Sequence, residues 1–245
     1  MGVDLTFVYA YYRNPAMFRR QLEEWGAYPD SLKSRIEFIV TDDCSPKGRI
    51  DECIGDIPKG INTRIFRLLK KVPWNWLACR NIGAKYACGK WILMTDMDHM
   101  IGRDYIQYLM DGILPNINGN NVYLFTRVSA PEMTEYKPHD DSFLMTKEMF
   151  WRIGGYDEYL SGNYGTAGRF RLRAMTTCKH MKRLELPLIR FDRDLIPDAS
   201  TTDFPRKLPN QEHQKAIRAI ELKKELRGRK NKIKTLSFPF QEISI

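Results

Sequence analysis

The run Lys90-Trp91-Ile92-Leu93-Met94-Thr95 leads into Asp96-Met97-Asp98, and this juncture limits the possible folds more than any other stretch. A short apolar segment without polar alternation is the pattern of a strand buried on both faces, as in a parallel sheet. Two carboxylates then stand where that strand would leave the sheet, and open α/β sheets bind ligands at that carboxyl edge. A pair of acids there suits Mg²⁺ or Mn²⁺, hard cations that take oxygen ligands and bridge to phosphate oxygens. The pattern points to a metal–diphosphate site and a nucleotide-activated substrate.

The surrounding segments alternate between strand and helix patterns. Leu5 to Tyr11 reads as a first strand. Asn14-Pro15 then starts a helix, with Asn at the N-cap and Pro at the first helical position, and Met17, Phe18, Leu22 and Trp25 form its core-facing stripe. Ile36 to Thr41 is a second strand ending at Asp42-Asp43, Thr63 to Leu68 a third, and Leu77 to Tyr86 a helix carrying Arg80 and Asn81. This alternation predicts an α/β fold with a mostly parallel central sheet flanked by helices. Further on, Asn121 to Val128 and Ser142 to Met145 read as strands, and Thr146 caps a helix that Gly154-Gly155 ends. Gly162 to Ala174 begins as a glycine-rich loop and turns helical, Glu185 to Ile189 reads as a late edge strand, and Gln211 to Arg227 as a helix.

Composition excludes several classes. Of 245 residues 43% are hydrophobic, too many for a disordered chain. No stretch reaches the ~18 apolar residues of a membrane span, and no basic segment with an apolar signal core follows Met1, so the expected location is the cytoplasm. The five cysteines, Cys44, Cys53, Cys79, Cys88 and Cys178, are odd in number and form no CxxC pair, which argues against a disulfide framework or a zinc site. The net charge of +9 is concentrated late in the chain. From Arg206 to Lys234 there are eleven Lys and Arg (Arg206, Lys207, Lys223, Lys224, Arg227, Arg229 and Lys230 among them) against three Glu. Such a stretch is either a solvated helix or the contact surface for a phosphate-rich partner, nucleic acid or an anionic membrane surface. Its few large apolar residues argue against membrane insertion.

Five motifs in order carry a resemblance. Tyr9-Ala10-Tyr11, Val40-Thr41-Asp42-Asp43-Cys44-Ser45, Ala78-Cys79-Arg80-Asn81-Ile82-Gly83, Thr95-Asp96-Met97-Asp98 and Phe143 to Glu158 with its Gly154-Gly155-Tyr156-Asp157-Glu158 together resemble the family 2 nucleotide-sugar glycosyltransferases of the GT-A fold. The resemblance implies a glycosyltransferase domain over residues 1–195, with a nucleotide-sugar half (1–100), an acceptor half (101–195) and a basic C-terminal helical arm (196–245). It implies a UDP-sugar donor held by Tyr9, Ala10, Tyr11, Asp42 or Asp43, Arg80 and Asp96. Asp98, with Asp96 and His99 beside it, would hold Mn²⁺ or Mg²⁺. A carboxylate can accept a uracil imide N–H or ribose hydroxyls, and the Arg80 fork can reach the base or the diphosphate. Trp74, Trp76, His139, Gly155, Tyr156 and Tyr164 are the expected acceptor contacts, the exposed aromatics by stacking.

Transfer with inversion needs a carboxylate to take the acceptor proton. The slot that the resemblance gives to that acid is position 167, and it holds Ala. Three readings stand: an acid replaced by alanine, a base elsewhere at Asp157, Asp140 or Asp141, or a protein that binds without turnover. The intact acceptor loop and the retained Asp-x-Asp favour the first. For the acceptor, the basic stretch and the absence of an anchor resemble small phage-type enzymes that decorate 5-hydroxymethylpyrimidines in double-stranded DNA, which implies a flipped base in the site. The alternatives are a cytosolic transferase for polysaccharide and a non-catalytic nucleotide-sugar or nucleic-acid binding module.

Overall fold

Strand β1 (Leu5–Tyr11) is buried along nearly its whole length and lies between two parallel neighbours, β2 (Ile36–Asp42) and β4 (Trp91–Asp96). Beyond β2, β3 (Thr63–Leu68) continues the parallel set. The order β3-β2-β1-β4 reverses direction of growth at β1, so a crevice opens between the carboxyl ends of β1 and β4. These strands read as apolar runs because both faces are covered. On one face α1 (Pro15–Gly26) brings Met17, Phe18, Leu22 and Trp25 onto Phe7, Tyr9 and Phe38, with Trp25 stacked on Phe38 at 4.0 Å. On the other, α3 (Trp76–Tyr86) packs Cys79 and Ile82 on Val8 and Ile39. The glycine of the Arg-Asn-x-Gly motif is needed here, since a Cβ on Gly83 would collide with the Val8 side chain.

The computed structural model describes residues 2–163, 165–200 and 233–245. The second half extends the same sheet with mixed directions. β8 (Phe143–Thr146) runs antiparallel to β4, β6 (Val122–Ser129) antiparallel to β8, and β9 (Met181–Arg190) parallel to β6. The two-residue β5 (His99–Met100) pairs with β9, so β9 is not an edge, and β7 (Thr134–Tyr136) forms a hairpin with β6. β10 (Phe240–Ile243) returns from the C-terminal segment to pair antiparallel with β3. Short helices α2 (Asp30–Lys33) and α4 (Arg103–Gln107) occupy connections. Two more, α5 (Lys147–Ile153) and α6 (Ala167–Thr177), cover the α3 face through Phe150 and Phe170.

The predicted starts and stops hold at several points. Thr146 caps α5 by accepting from Met149 N at 3.1 Å, and Gly154 ends it with φ 98°. Pro15 opens α1 as expected, but Asn14 makes no side-chain cap. Asp198 does that work from far along the chain, accepting from Ala16 N at 2.7 Å and Met17 N at 2.8 Å. A carboxylate at this end of a helix also faces the positive pole of its dipole. The expected helix Gln211 to Arg227, and the basic residues Arg206, Lys207, Lys223, Lys224, Arg227, Arg229 and Lys230, lie outside the described residues, as does Tyr164.

Candidate active site

Four carboxylates gather at the carboxyl edge of the sheet. Register places Ala10 opposite Asp96 and Tyr11 opposite Asp42. Alternation along a strand sends neighbouring side chains to opposite faces, and it divides the first motif. Ala10 lies toward α3, while the rings of Tyr9 and Tyr11 are wholly buried in the α1 core. Tyr9 packs on Trp25, and Tyr11 Oη donates to Gly48 O at 2.6 Å. The faces of both tyrosine rings are spent on the core, so of this motif Ala10 is the residue on the α3 side.

At the end of β2 the two acids differ. Asp42 is fully buried and accepts from Ser45 N at 2.8 Å, so it shapes the turn after the strand. Burial raises its pKa, with the Ser45 contacts opposing. Asp43 accepts from Asn75 N at 2.9 Å through Oδ2, while its buried Oδ1 has no hydrogen-bond partner. Burial pushes its carboxyl well above the ordinary range. Asn75, which the sequence reading passed over, sits at the N-cap of α3 and is also fully buried. Its Oδ1 accepts from Ser161 Oγ at 2.6 Å, and its Nδ2 has no partner. An unpaired acceptor and an unpaired donor thus flank one backbone hydrogen bond. Just before them Trp74 is half-buried and holds a left-handed φ of 54°.

Arg80 turns inward. Its guanidinium is fully buried, with Nη2 2.7 Å from Asp96 Oδ1, and Nη1 2.6 Å from Asp141 O and 3.0 Å from Tyr156 Oη. Trp76 stacks over it at 4.7 Å and meets the Tyr156 ring edge-on at 5.1 Å. The expected reach of Arg80 toward a base or diphosphate is thus replaced by a clamp that orients Asp96. Trp76 and Tyr156 wall that clamp, Tyr156 with 1% of its surface exposed. Gly155, at φ 66°, lets the chain pass close to Asn81, where a Cβ would lie 3.0 Å from Asn81 Oδ1.

Asp96 also faces His139, whose Nε2 lies 3.3 Å from Oδ2. The partial enclosure of Asp96 works against its charge, but His139 and Arg80 outweigh it and hold the carboxyl far below the usual range. His139 Nδ1 meets Ser142 Oγ at 2.7 Å, and its ring stacks on His99 at 4.5 Å. His99 is fully buried. Its Nε2 accepts from Arg127 Nε at 2.8 Å, so the ring proton sits on Nδ1 and is donated to Asp98 Oδ1 at 2.7 Å. Both ring nitrogens are engaged, which corrects the expectation of His99 as a metal ligand. Among the described residues no group of three or more His, Cys, Asp or Glu gathers to hold an ion. Magnesium and manganese sites built on one or two carboxylates and completed by substrate phosphates need no such group, and hard-oxygen Asp98 beside Asp96 fits that chemistry.

On the acceptor side, Asp157 accepts from Tyr159 N at 3.2 Å and Lys234 N at 3.3 Å, so it caps the turn after the Gly-Gly-Tyr motif. Glu158 receives Asn81 Nδ2 at 2.8 Å, Leu236 N at 2.7 Å, and both the N (2.7 Å) and Oγ (2.6 Å) of Ser237. It straps the C-terminal segment to α3. Ala167 opens α6. Asp141, in the loop entering β8, is mostly buried, and burial pushes its carboxyl up to about 6.

The sheet order β3-β2-β1-β4, extended by antiparallel strands and flanked by helices, is of the GT-A type. The chain belongs to glycosyl transferase family 2, whose sequence model matches residues 16–181, well over half of its length. No curated protein sequence matches it significantly. Among solved structures, S. aureus TarS 1-349 in complex with UDP-GlcNAc superimposes with a TM-score of 0.66 at 12% identity, covering 90% of this chain and 66% of that one. The same protein in complex with UDP gives 0.61 at 14% identity, over 80% and 63%. The longer TarS structure gives 0.59 at 13%, over 80% and 38%. The chain thus spans no more than 66% of the length of these structures.

Proposed function

We propose that this protein transfers a sugar from a UDP-sugar to an acceptor hydroxyl, with inversion at the anomeric carbon. The observation that carries the donor reading is the pair of unpartnered buried groups, Asp43 Oδ1 and Asn75 Nδ2. An acceptor beside a donor matches the uracil edge, where the imide N–H meets the carboxylate and a flanking carbonyl meets the amide. Cytosine presents a lone pair at the same ring nitrogen and would confront the ionised Asp43 with a second acceptor. Leaving such groups unpaired costs a competitor far more than a lost contact. The UDP and UDP-GlcNAc complexes of TarS, which shares the fold, support the choice of base.

Asp98, aided by Asp96, would hold Mn²⁺ or Mg²⁺, which when bound neutralises charge on the departing diphosphate. Arg80 and His139 keep Asp96 ionised and aimed at that place. Titration of the protein with UDP, CDP and GDP in the presence of Mn²⁺ tests the reading. UDP binding at least ~10-fold tighter than CDP is expected, and equal affinity for all three would remove it.

For the acceptor we favour a phosphate-rich polymer, with hydroxymethylated double-stranded DNA the first choice. The support is the surplus of positive charge between Arg206 and Lys234, because backbone phosphates supply most non-specific affinity and make it fall steeply with salt. Binding to duplex DNA that does not weaken between low and moderate salt would exclude this acceptor.

A further inference from the structure

We propose that Asp141 is the residue that takes the proton from the acceptor hydroxyl, in place of the acid missing at position 167. The assignment rests on the transferase reading above and adds the identity of the base. From Gly162 to Thr177 the chain has no Asp or Glu at all, so α6 and the loop before it supply no carboxylate. The loop entering β8 abuts that region. Arg171, one turn into α6 beyond Ala167, pairs with Asp140 at 2.6 Å, and Phe170 packs on Phe143 at 5.4 Å and on Tyr156 at 4.5 Å. Asp141 lies between these two anchors.

Its carboxyl also belongs to the donor cleft. One guanidinium, that of Arg80, binds Asp96 through Nη2 and the Asp141 backbone oxygen through Nη1, with Asp141 Oδ1 4.0 Å away. The end of β4 and Asp141 are therefore tied to a single rigid, buried group. Asp141 Oδ1 is buried and has no hydrogen-bond partner. The other acids on this side are committed: Asp140 to Arg171, Asp157 to its turn and Lys234, Glu158 to the C-terminal strap. Beside Arg80, a carboxylate whose side chain keeps 17% of its surface exposed, with no hydrogen bond at Oδ1, is left to accept a proton.

In the step, the acceptor oxygen forms a bond to the anomeric carbon as the bond from that carbon to the β-phosphate oxygen breaks. The electron pair leaves with the diphosphate, and the hydroxyl proton passes to the exposed part of the Asp141 carboxylate and later to solvent. Burial raises the basicity of this carboxylate; Asp96 and Asp140 act in the same direction, Arg80 and His139 against it.

The test uses donor hydrolysis, in which water is the acceptor, with UDP-GlcNAc, UDP-glucose and Mn²⁺ as probes. Asp141→Asn should lower UDP release at least ~100-fold while leaving the Kd for UDP within about twofold. Sodium azide, an anion with no proton to lose, should restore UDP release in Asp141→Asn and yield the glycosyl azide. Hydrolysis by Asp141→Asn at the wild-type rate overturns the assignment, and so does a loss that azide fails to recover, which would mark a structural defect. Wild-type protein that binds no UDP removes the donor reading underneath, and the base with it. Wild-type binding combined with an indifferent Asp141→Asn removes only the base.

Discussion

Arg80 Nη2 and Asp96 Oδ1 stand 2.7 Å apart, the first on a fully buried side chain and the second on one 44% exposed. The arginine is committed to the protein interior, and the carboxylate is the part that looks outward. This asymmetry makes the pair a mounting for Asp96, not a stabilising surface bridge.

Replacing the carboxylate tests that view. Asp96→Asn takes from a buried guanidinium the nearer of its two carboxylates and leaves Asp141 Oδ1 at 4.0 Å, a loss expected to cost about 3 kcal/mol, the low end for removing one partner of a buried pair. Urea denaturation should show the loss as a lower midpoint with an unchanged slope, and donor turnover should vanish with it. An unaltered midpoint would mean that the remaining Asp141 and Tyr156 contacts suffice for Arg80.

The uracil pair predicts a proton balance. Burial holds the Asp43 carboxyl well above its usual range, so it stays protonated to higher pH than an exposed acid. An imide N–H needs a bare oxygen, so UDP binding favours the ionised form and expels a proton. Affinity should therefore rise with pH until Asp43 is ionised in the free protein. Calorimetry in buffers of different ionisation enthalpy reads the released proton directly. Asp43→Asn should weaken UDP about tenfold or more and abolish the release.

Asp141 sets a different limb. With the carboxyl pushed up to about 6, the proton-accepting form is lost as pH falls through that value. Hydrolysis of the donor should be flat above it and drop about tenfold per pH unit below. In Asp141→Asn with azide as nucleophile, that acid limb should be absent from the profile.

Glu158 is expected to be a stability residue. It gathers four donors, three of them from the strap formed by Leu236 and Ser237. Hydrogen bonds to a charged group are worth about 1.5–3 kcal/mol each, and orphaned buried donors add to the loss. Glu158→Ala should cost about 3 kcal/mol or more by denaturation, and amide exchange at residues 236 and 237 should accelerate ahead of the β1–β4 core.

Much of the donor half was legible in advance. β1 to β4 are apolar runs bounded by turn residues, and burial on both faces leaves that pattern little room for ambiguity. Thr146 and Gly154 marked the limits of α5 because capping is local chemistry. What failed to show was non-local. Asp198 caps α1 from beyond β9, and nothing near Asn14 announces it. Phe240-Gln241-Glu242-Ile243 is too short and polar to read as a strand, and it becomes one only by pairing with β3. The direction of Arg80 was equally hidden, because helical spacing tells which face a residue occupies and not which distant carboxylate awaits it. Within Tyr9-Ala10-Tyr11, strand alternation gives only Ala10 to the α3 side, and the motif taken whole does not show that the two rings belong to the α1 core. Asn75 carried a usable signal, a cap-type residue just ahead of the motif helix.

β10 has a consequence for handling this protein. Laid along β3, it occupies backbone groups that would otherwise face another molecule. A chain shortened ahead of Phe240 would bare Ile65, Phe66, Arg67 and Leu68 as an unpaired seam. Such a truncation should self-associate edge to edge as its concentration rises, even with every site residue in place.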